Sequence, residues 1–254
     1  MRRTMVVLGL LAISALAPLS PATSVGPTGQ LCWGESATIV GSDGPDGISG
    51  TSGDDVIVTF GGADDVSGSG GSDRICTGTG DDEVFGGLEV GAPDYIDAGS
   101  GDDRLGGGDF TLQVCPTTIF GTEPDGRNVI RGGGGNDKIA GTNGIDRVLG
   151  GDGDDCVLGE DGNDRLLGSN GADYLEGDLG DDTLIGNRGP DNLTDAFSSD
   201  DIDSVQGRVG KDDLNAVDND SLDTLDGGRR DDTCAFDNRA PGDADTTISC
   251  ETIG

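Results

Sequence analysis

Residues 150 to 168 read GGDGDDCVLGEDGNDRLLG, nearly two copies of one nine-residue phrase. A short fixed period of this kind decides architecture before any secondary-structure reading does. Written G-G-x-G-x-D-x-U-x, with U aliphatic, the phrase runs without a gap through windows beginning at 41, 50, 59, 68 and 77. Three extra residues (Gly86 to Leu88) intervene, and it resumes at 89 and 98. An insertion from Gly107 to Thr122 follows, then eight unbroken windows from 123 to 194, then weaker copies beginning at 198, 207, 218 and 227. Across these 19 windows the sixth position is Asp everywhere except Asn128, and the eighth is aliphatic everywhere except Cys234. The fourth is Gly except at Ala92, Asp201, Ser221 and Arg230.

Glycines at fixed offsets mark sharp turns through positive φ, which other residues adopt only at a cost. The last three residues of a window, such as Arg165-Leu166-Leu167, predict a very short strand with only its middle side chain inward. So short a strand cannot stand alone. Stacked on its own copies it becomes one rung of a parallel ladder with rungs ~4.8 Å apart. Two windows then make one coil, and 19 windows make a rod of nine to ten coils, about 45 Å long at that spacing. One buried aliphatic per nine residues is too little to offset the backbone entropy of ordering them. Stacked aspartates add repulsion, so something else must bind the turns.

The turns themselves supply a candidate. Stacking brings Asp carboxylates of adjacent coils together beside backbone carbonyls of the glycine-rich loops. Six or more hard oxygens in a flexible geometry suit Ca²⁺ better than Mg²⁺. Zinc is excluded as the general partner because the chain has no His and its six Cys are scattered. The spacing, closing Glu and helices of an EF-hand are not there either.

Composition agrees once this is granted. With 49 acidic against 15 basic residues, 4% aromatics and 49 glycines, the chain would read as disordered were the acids not in phase. So negative a chain is expected to avoid nucleic acid and to partner cations. Residues 1–24, MRRTMVVLGLLAISALAPLSPATS, predict a signal peptide: an Arg2-Arg3 start, an apolar Val6 to Ala17 and a small-residue cleavage site. No later stretch is long and apolar enough to span a bilayer. The expected product is secreted, and six cysteines in an exported chain suggest disulfides, for which 15 pairings exist. Pairing near neighbours, Cys32–Cys76, Cys115–Cys156 and Cys234–Cys250, would close both ends and the insertion onto the body.

In tandem the windows resemble the nonapeptide repeats of the RTX (hemolysin-type) calcium-binding family, closely over 41 to 194 and loosely to 235. The resemblance implies an all-β fold, a right-handed parallel β-roll stabilised by calcium. It places Asp55, Asp64, Asp73, Asp82, Asp137, Asp146, Asp155, Asp164, Asp173, Asp182 and Asp191 where that family's carboxylate ligands stand, with Asp46 and Asp103 matching nearer an end and the insertion. Sites shared by windows n and n+2 give an expectation of roughly six to ten Ca²⁺ of modest affinity. The substitutions Ala92, Asn128, Asp201, Ser221 and Arg230 interrupt the pattern beside them. Residues 25–40 and 236–254 read as caps.

Enzymes fit poorly. Without histidine the Ser-His-Asp and Cys-His groups and the H-E-x-x-H site are excluded. The leader also runs almost directly into the repeats, so no catalytic domain is expected. The reading is a non-enzymatic calcium-binding protein that folds outside the cell, with a calcium-dependent adhesion or cell-envelope module, recognising cell-surface or polysaccharide material, as the alternative. Outward positions seven and nine place Arg147, Leu149, Arg165, Leu167, Thr183 and Ile185 on one sheet. The aliphatics among them are expected to be covered by arginine stems or by a loop.

Overall fold

The structure is a computed structural model; it describes residues 20–21, 30–87, 92–106, 127–195, 202–217, 223–236, 246–250 and 252–253. The chain winds as a parallel β-roll. Strands alternate between two sheets, of 12 strands (sheet I) and 11 strands (sheet II), and each pairs in parallel with the strand one coil away. Among the described residues there is no helix. In sheet II, Arg147–Asp152, Arg165–Asn170 and Thr183–Arg188 stack with Val148, Leu166 and Leu184 in register. In sheet I, Cys156–Asp161, Tyr174–Leu179 and Asn192–Thr194 stack with Val157, Leu175 and Leu193 in register.

The core is the eighth-position column of both sheets, from Ile48 and Ile57 to Leu225 and Cys234, all but fully buried. The sheets run beyond the repeats. Ile39–Val40 pairs with Ile57–Val58, and Thr246–Ile248 and Thr252–Ile253 add rungs after the last window. Of the expected leader only Ser20–Pro21 is described; it pairs with Asp46–Gly47.

One register differs from the sequence reading. The strand Glu83–Gly87 continues through Gly86 and pairs Gly87 with Ser69. The three extra residues therefore follow Gly87 instead of occupying Gly86 to Leu88, because both glycines serve as the first two positions of the next turn. A second regularity appears once the sheets are known. Within the repeats, every passage from sheet II to sheet I keeps a nine-residue step between core positions. The longer steps, Val84 to Ile96, Leu105 to Ile130, Leu193 to Val205 and Leu214 to Leu225, all lie on passages from sheet I to sheet II. One edge of the roll is uniform and the other takes every insertion.

The ends are pinned. The hairpin of Leu31–Cys32 and Glu35–Ser36 packs on Val56 and Val58 and is held by the Cys32–Cys76 disulfide. Trp33 lies under the Arg131 guanidinium, 4.1 Å from its ring centre, and Glu35 pairs with Arg74 at 3.3 Å. Cys234–Cys250 forms as well, and Cys156 is disulfide-bonded; Cys115 lies outside the described residues.

The two faces carry opposite charge. Sheet II strands bear Arg74, Arg131, Arg147, Arg165, Arg188, Arg208 and Arg229 against Asp97, Asp152 and Asp226. Sheet I strands bear Arg104 and Lys138 against Asp65, Glu83, Glu160, Asp161, Glu176, Asp178 and Asp213, besides the interior Asp46.

Candidate metal centre

The sixth-position aspartates form two continuous ladders, one along each edge. The backbone N–H of each donates to Oδ1 of its counterpart one coil later. Along the uniform edge this links Asp46 to Asp64, Asp64 to Asp82, Asp82 to Asp103, Asp103 to Asp137, and onward to Asp155, Asp173, Asp191, Asp212 and Asp232. Along the other edge it links Asp55, Asp73, Asp94, Asn128, Asp146, Asp164, Asp182, Asp203 and Asp223. The turn supports this. Its fourth-position glycine lies at positive φ against the coil before it; a Cβ on Gly171, at φ 149°, would run into the Gly153 carbonyl.

Oδ1 is thus used by the protein, and Oδ2 sorts the sites. At Asp46, Asp55 and Asp146, Oδ2 accepts the backbone N–H and hydroxyl of Ser42, Thr51 and Thr142. At Asp103, Asp137, Asp155, Asp164, Asp173, Asp191, Asp212 and Asp232, Oδ2 is buried with no hydrogen-bond donor. A buried acceptor without a donor is costly, a charged one more so. Beside seven of the eight lies the bare Cα of the first-position glycine (Ala98 stands there before Asp103), and at Gly132 and Gly159 a carbonyl of the next coil faces it. A Cβ built on Gly159 would sit 2.6 Å from Asp164 Oδ2 and 2.7 Å from the Gly177 carbonyl oxygen. At these two turns carboxylate and carbonyl oxygens converge in a space that a Cβ would fill. That donor set, all hard oxygens, fits a calcium ion.

Electrostatics agree. Burial first, and then neighbouring carboxylates, push Asp103 up to about 7, Asp155 to about 8 and Asp164 to about 10, against the opposing backbone N–H bonds. Asp137, Asp146, Asp173, Asp191 and Asp212 are raised to about 6, again chiefly by burial.

All thirteen aspartates singled out in the sequence are buried and lie in the ladders. The same ladders take in Asp94, Asp203, Asp212, Asp223 and Asp232, which the sixth-position rule flags in the weaker windows, and Asn128, whose Oδ1 replaces a carboxylate oxygen while its Nδ2 donates to Thr142. Asp195 lay outside that rule. It occupies a first position, where the repeat has glycine, and brings a third carboxylate to Asp182 and Asp203, the three ligand atoms lying within 4.8 Å of one another.

The family model of the RTX calcium-binding nonapeptide repeat matches residues 40–75, 58–89, 91–111, 131–166 and 158–193, more than half of the chain. The chain belongs to that family. No curated protein matches it. As an RTX protein it is a calcium-binding β-roll, and the buried Oδ2 rows are the feature of its own structure that calls for the ion. When bound, calcium supplies the positive charge that the stacked carboxylates need. The chain's own residues would supply the oxygens, with backbone N–H groups holding Oδ1 in place.

Proposed function

We propose that this RTX protein is a secreted, non-enzymatic calcium binder whose β-roll forms outside the cell on meeting the ion. The observation that carries the reading is the row of interior carboxylate oxygens that the protein leaves without donors, coil after coil. Asp46, Asp55, Asp64, Asp73, Asp82, Asp103, Asp137, Asp146, Asp155, Asp164, Asp173, Asp182 and Asp191 are the proposed ligand set. Asp46, Asp55 and Asp146 contribute less because Ser42, Thr51 and Thr142 already occupy their Oδ2. Roughly six to ten ions follow from sharing each carboxylate between coils. Metal-poor cytosol leaves the chain unfolded for export, and binding energy becomes folding energy outside.

Calcium titration followed by calorimetry and far-UV circular dichroism tests this. Binding of several ions should coincide with gain of strand signal. A strand spectrum that survives chelator at neutral pH unchanged would overturn the reading.

A calcium-dependent adhesion role is the second reading. It is favoured by the groove of about 280 Å³ on sheet II between Val129, Leu149 and Leu167 and the arginines Arg131, Arg147 and Arg165. Retention on cell-wall material in calcium and release in chelator would separate it from the first.

A further inference from the structure

Six consecutive rungs of sheet II, from the strand of Arg131 to that of Arg229, each carry one arginine, and the last three line an open groove. Arg188 and Arg229 flank Val209 in register, while Arg208 aligns with Asn187 on one side and Gly228 on the other. The groove encloses about 880 Å³ and is also lined by Ser169, Asn187 and Ser249, with Asp226 its one carboxylate. All three guanidinium-bearing residues are exposed. Among the described residues none of the three makes an ion pair, although the chain has 49 acids to choose from. Arg208 donates to the neutral Gln206 Oε1 at 3.0 Å.

The backbone under this groove is equally telling. Ser169, Asn187 and Arg208 stack in one second-position column at φ 101°, 81° and 79°. In the coils just before, that column is Gly133 and Gly151. Polar side chains therefore fill, beneath the groove, a column that the two preceding coils leave bare, as Glu160 and Asp178 do on sheet I.

We propose that this groove binds an acidic polysaccharide, its uronic-acid-type carboxylates engaging Arg188, Arg208 and Arg229 and its hydroxyls meeting Ser169 and Asn187. Guanidinium forks match carboxylates two oxygens at a time. Short amide and hydroxyl side chains between them suit a hydroxyl-rich chain better than a bare anion. The groove crosses four rungs, a length that favours a polymer over a single ion. A second copy of this chain fits less well, because the exposed acids of sheet I, Asp65, Asp161 and Asp213, stand on strands three or more rungs apart while Glu160, Glu176 and Asp178 are buried.

The test uses the calcium-saturated full chain with a short oligogalacturonate and its fully methyl-esterified form, read by calorimetry. The acid form should bind, more weakly as salt rises, and the ester should not. Arg188→Gln with Arg229→Gln should weaken binding about ten-fold or more. Arg208→Gly should also weaken it while raising the thermal midpoint, a combination that a merely structural arginine would not give. Equal binding of acid and ester, or binding that survives the arginine replacements and follows calcium concentration, overturns the proposal; the latter marks metal bridging. Self-association abolished by the same replacements would assign the face to a second copy and overturn it too. Calcium stoichiometry measured in parallel on every variant keeps a failure of the metal reading separate.

Discussion

At the level of single residues, the sixth-position aspartate has two oxygens with different employers. Oδ1 holds the preceding coil, and Oδ2, where no Ser or Thr occupies it, is the oxygen assigned to the proposed calcium. Asp155→Asn separates them, because the amide keeps an acceptor for the Asp137 N–H at 2.9 Å while the charge is lost. Asn128 already shows that an amide oxygen fits the ladder. In chelator the variant should melt higher than the parent, by of order 1 kcal/mol or more, since the buried group no longer has to be either charged or protonated. With calcium the order should reverse and fewer ions should bind. Paired thermal melts check both signs; a variant less stable in both conditions would mean that Oδ2 is not a site of strain. The carboxylates were legible in the sequence because their phase was fixed. Their sorting was not: Ser42, Thr51 and Thr142 silence particular Oδ2 atoms through donors whose direction no spacing rule reveals. Asp195 escaped for a related reason, since a first position followed by extra residues looks like a linker until the strand pairing fixes its place.

At the level of strands and turns, the raised carboxylates set a pH dependence. A carboxyl group whose folded-state value stands above its unfolded one adds stability below about pH 4, where both states are protonated. That stability is lost as pH rises through the folded values, here about 6 for Asp137 and Asp173 and about 8 for Asp155. Metal-free protein should therefore gain strand signal on acidification from pH 8 to 4. Calcium-loaded protein should show the opposite trend, because its ligands must be deprotonated to bind. Circular dichroism across that range, with and without chelator, gives two crossing curves. Two curves of the same slope would sink the assignment of these groups as the metal's ligands. The strands themselves were readable from Arg165-Leu166-Leu167 and its kin. The register near Gly86 was not, because two glycines before an insertion serve equally well as spacer or as turn until Gly87 is seen opposite Ser69.

For the whole molecule, the rod is thin and each coil touches only its neighbours, so stability is close to a sum of local terms. Pins at the ends matter most there. Replacing Cys32 and Cys76 by Ser should cost about 2–4 kcal/mol of apparent stability and loosen the hairpin, with calcium stoichiometry nearly unchanged. Denaturant melts and titration of the same sample check this; a loss of most metal sites would show that the coils do not fold as independent neighbours. The period foretold the architecture and the family, and pairing near-neighbour cysteines gave the two disulfides Cys32–Cys76 and Cys234–Cys250. It could not foretell that all long steps lie at one edge, or that arginines far apart in sequence gather on one sheet, since both depend on which window faces which side.

The aspartate ladders run in one direction only, every N–H pointing toward the coil that follows. A bar built this way has unlike ends: each rung donates to the one after it, and at the start the Thr38 hydroxyl already covers Asp55 Oδ1. Unlike poles invite head-to-tail filaments. The opening hairpin and the closing disulfide stand where such a filament would have to grow.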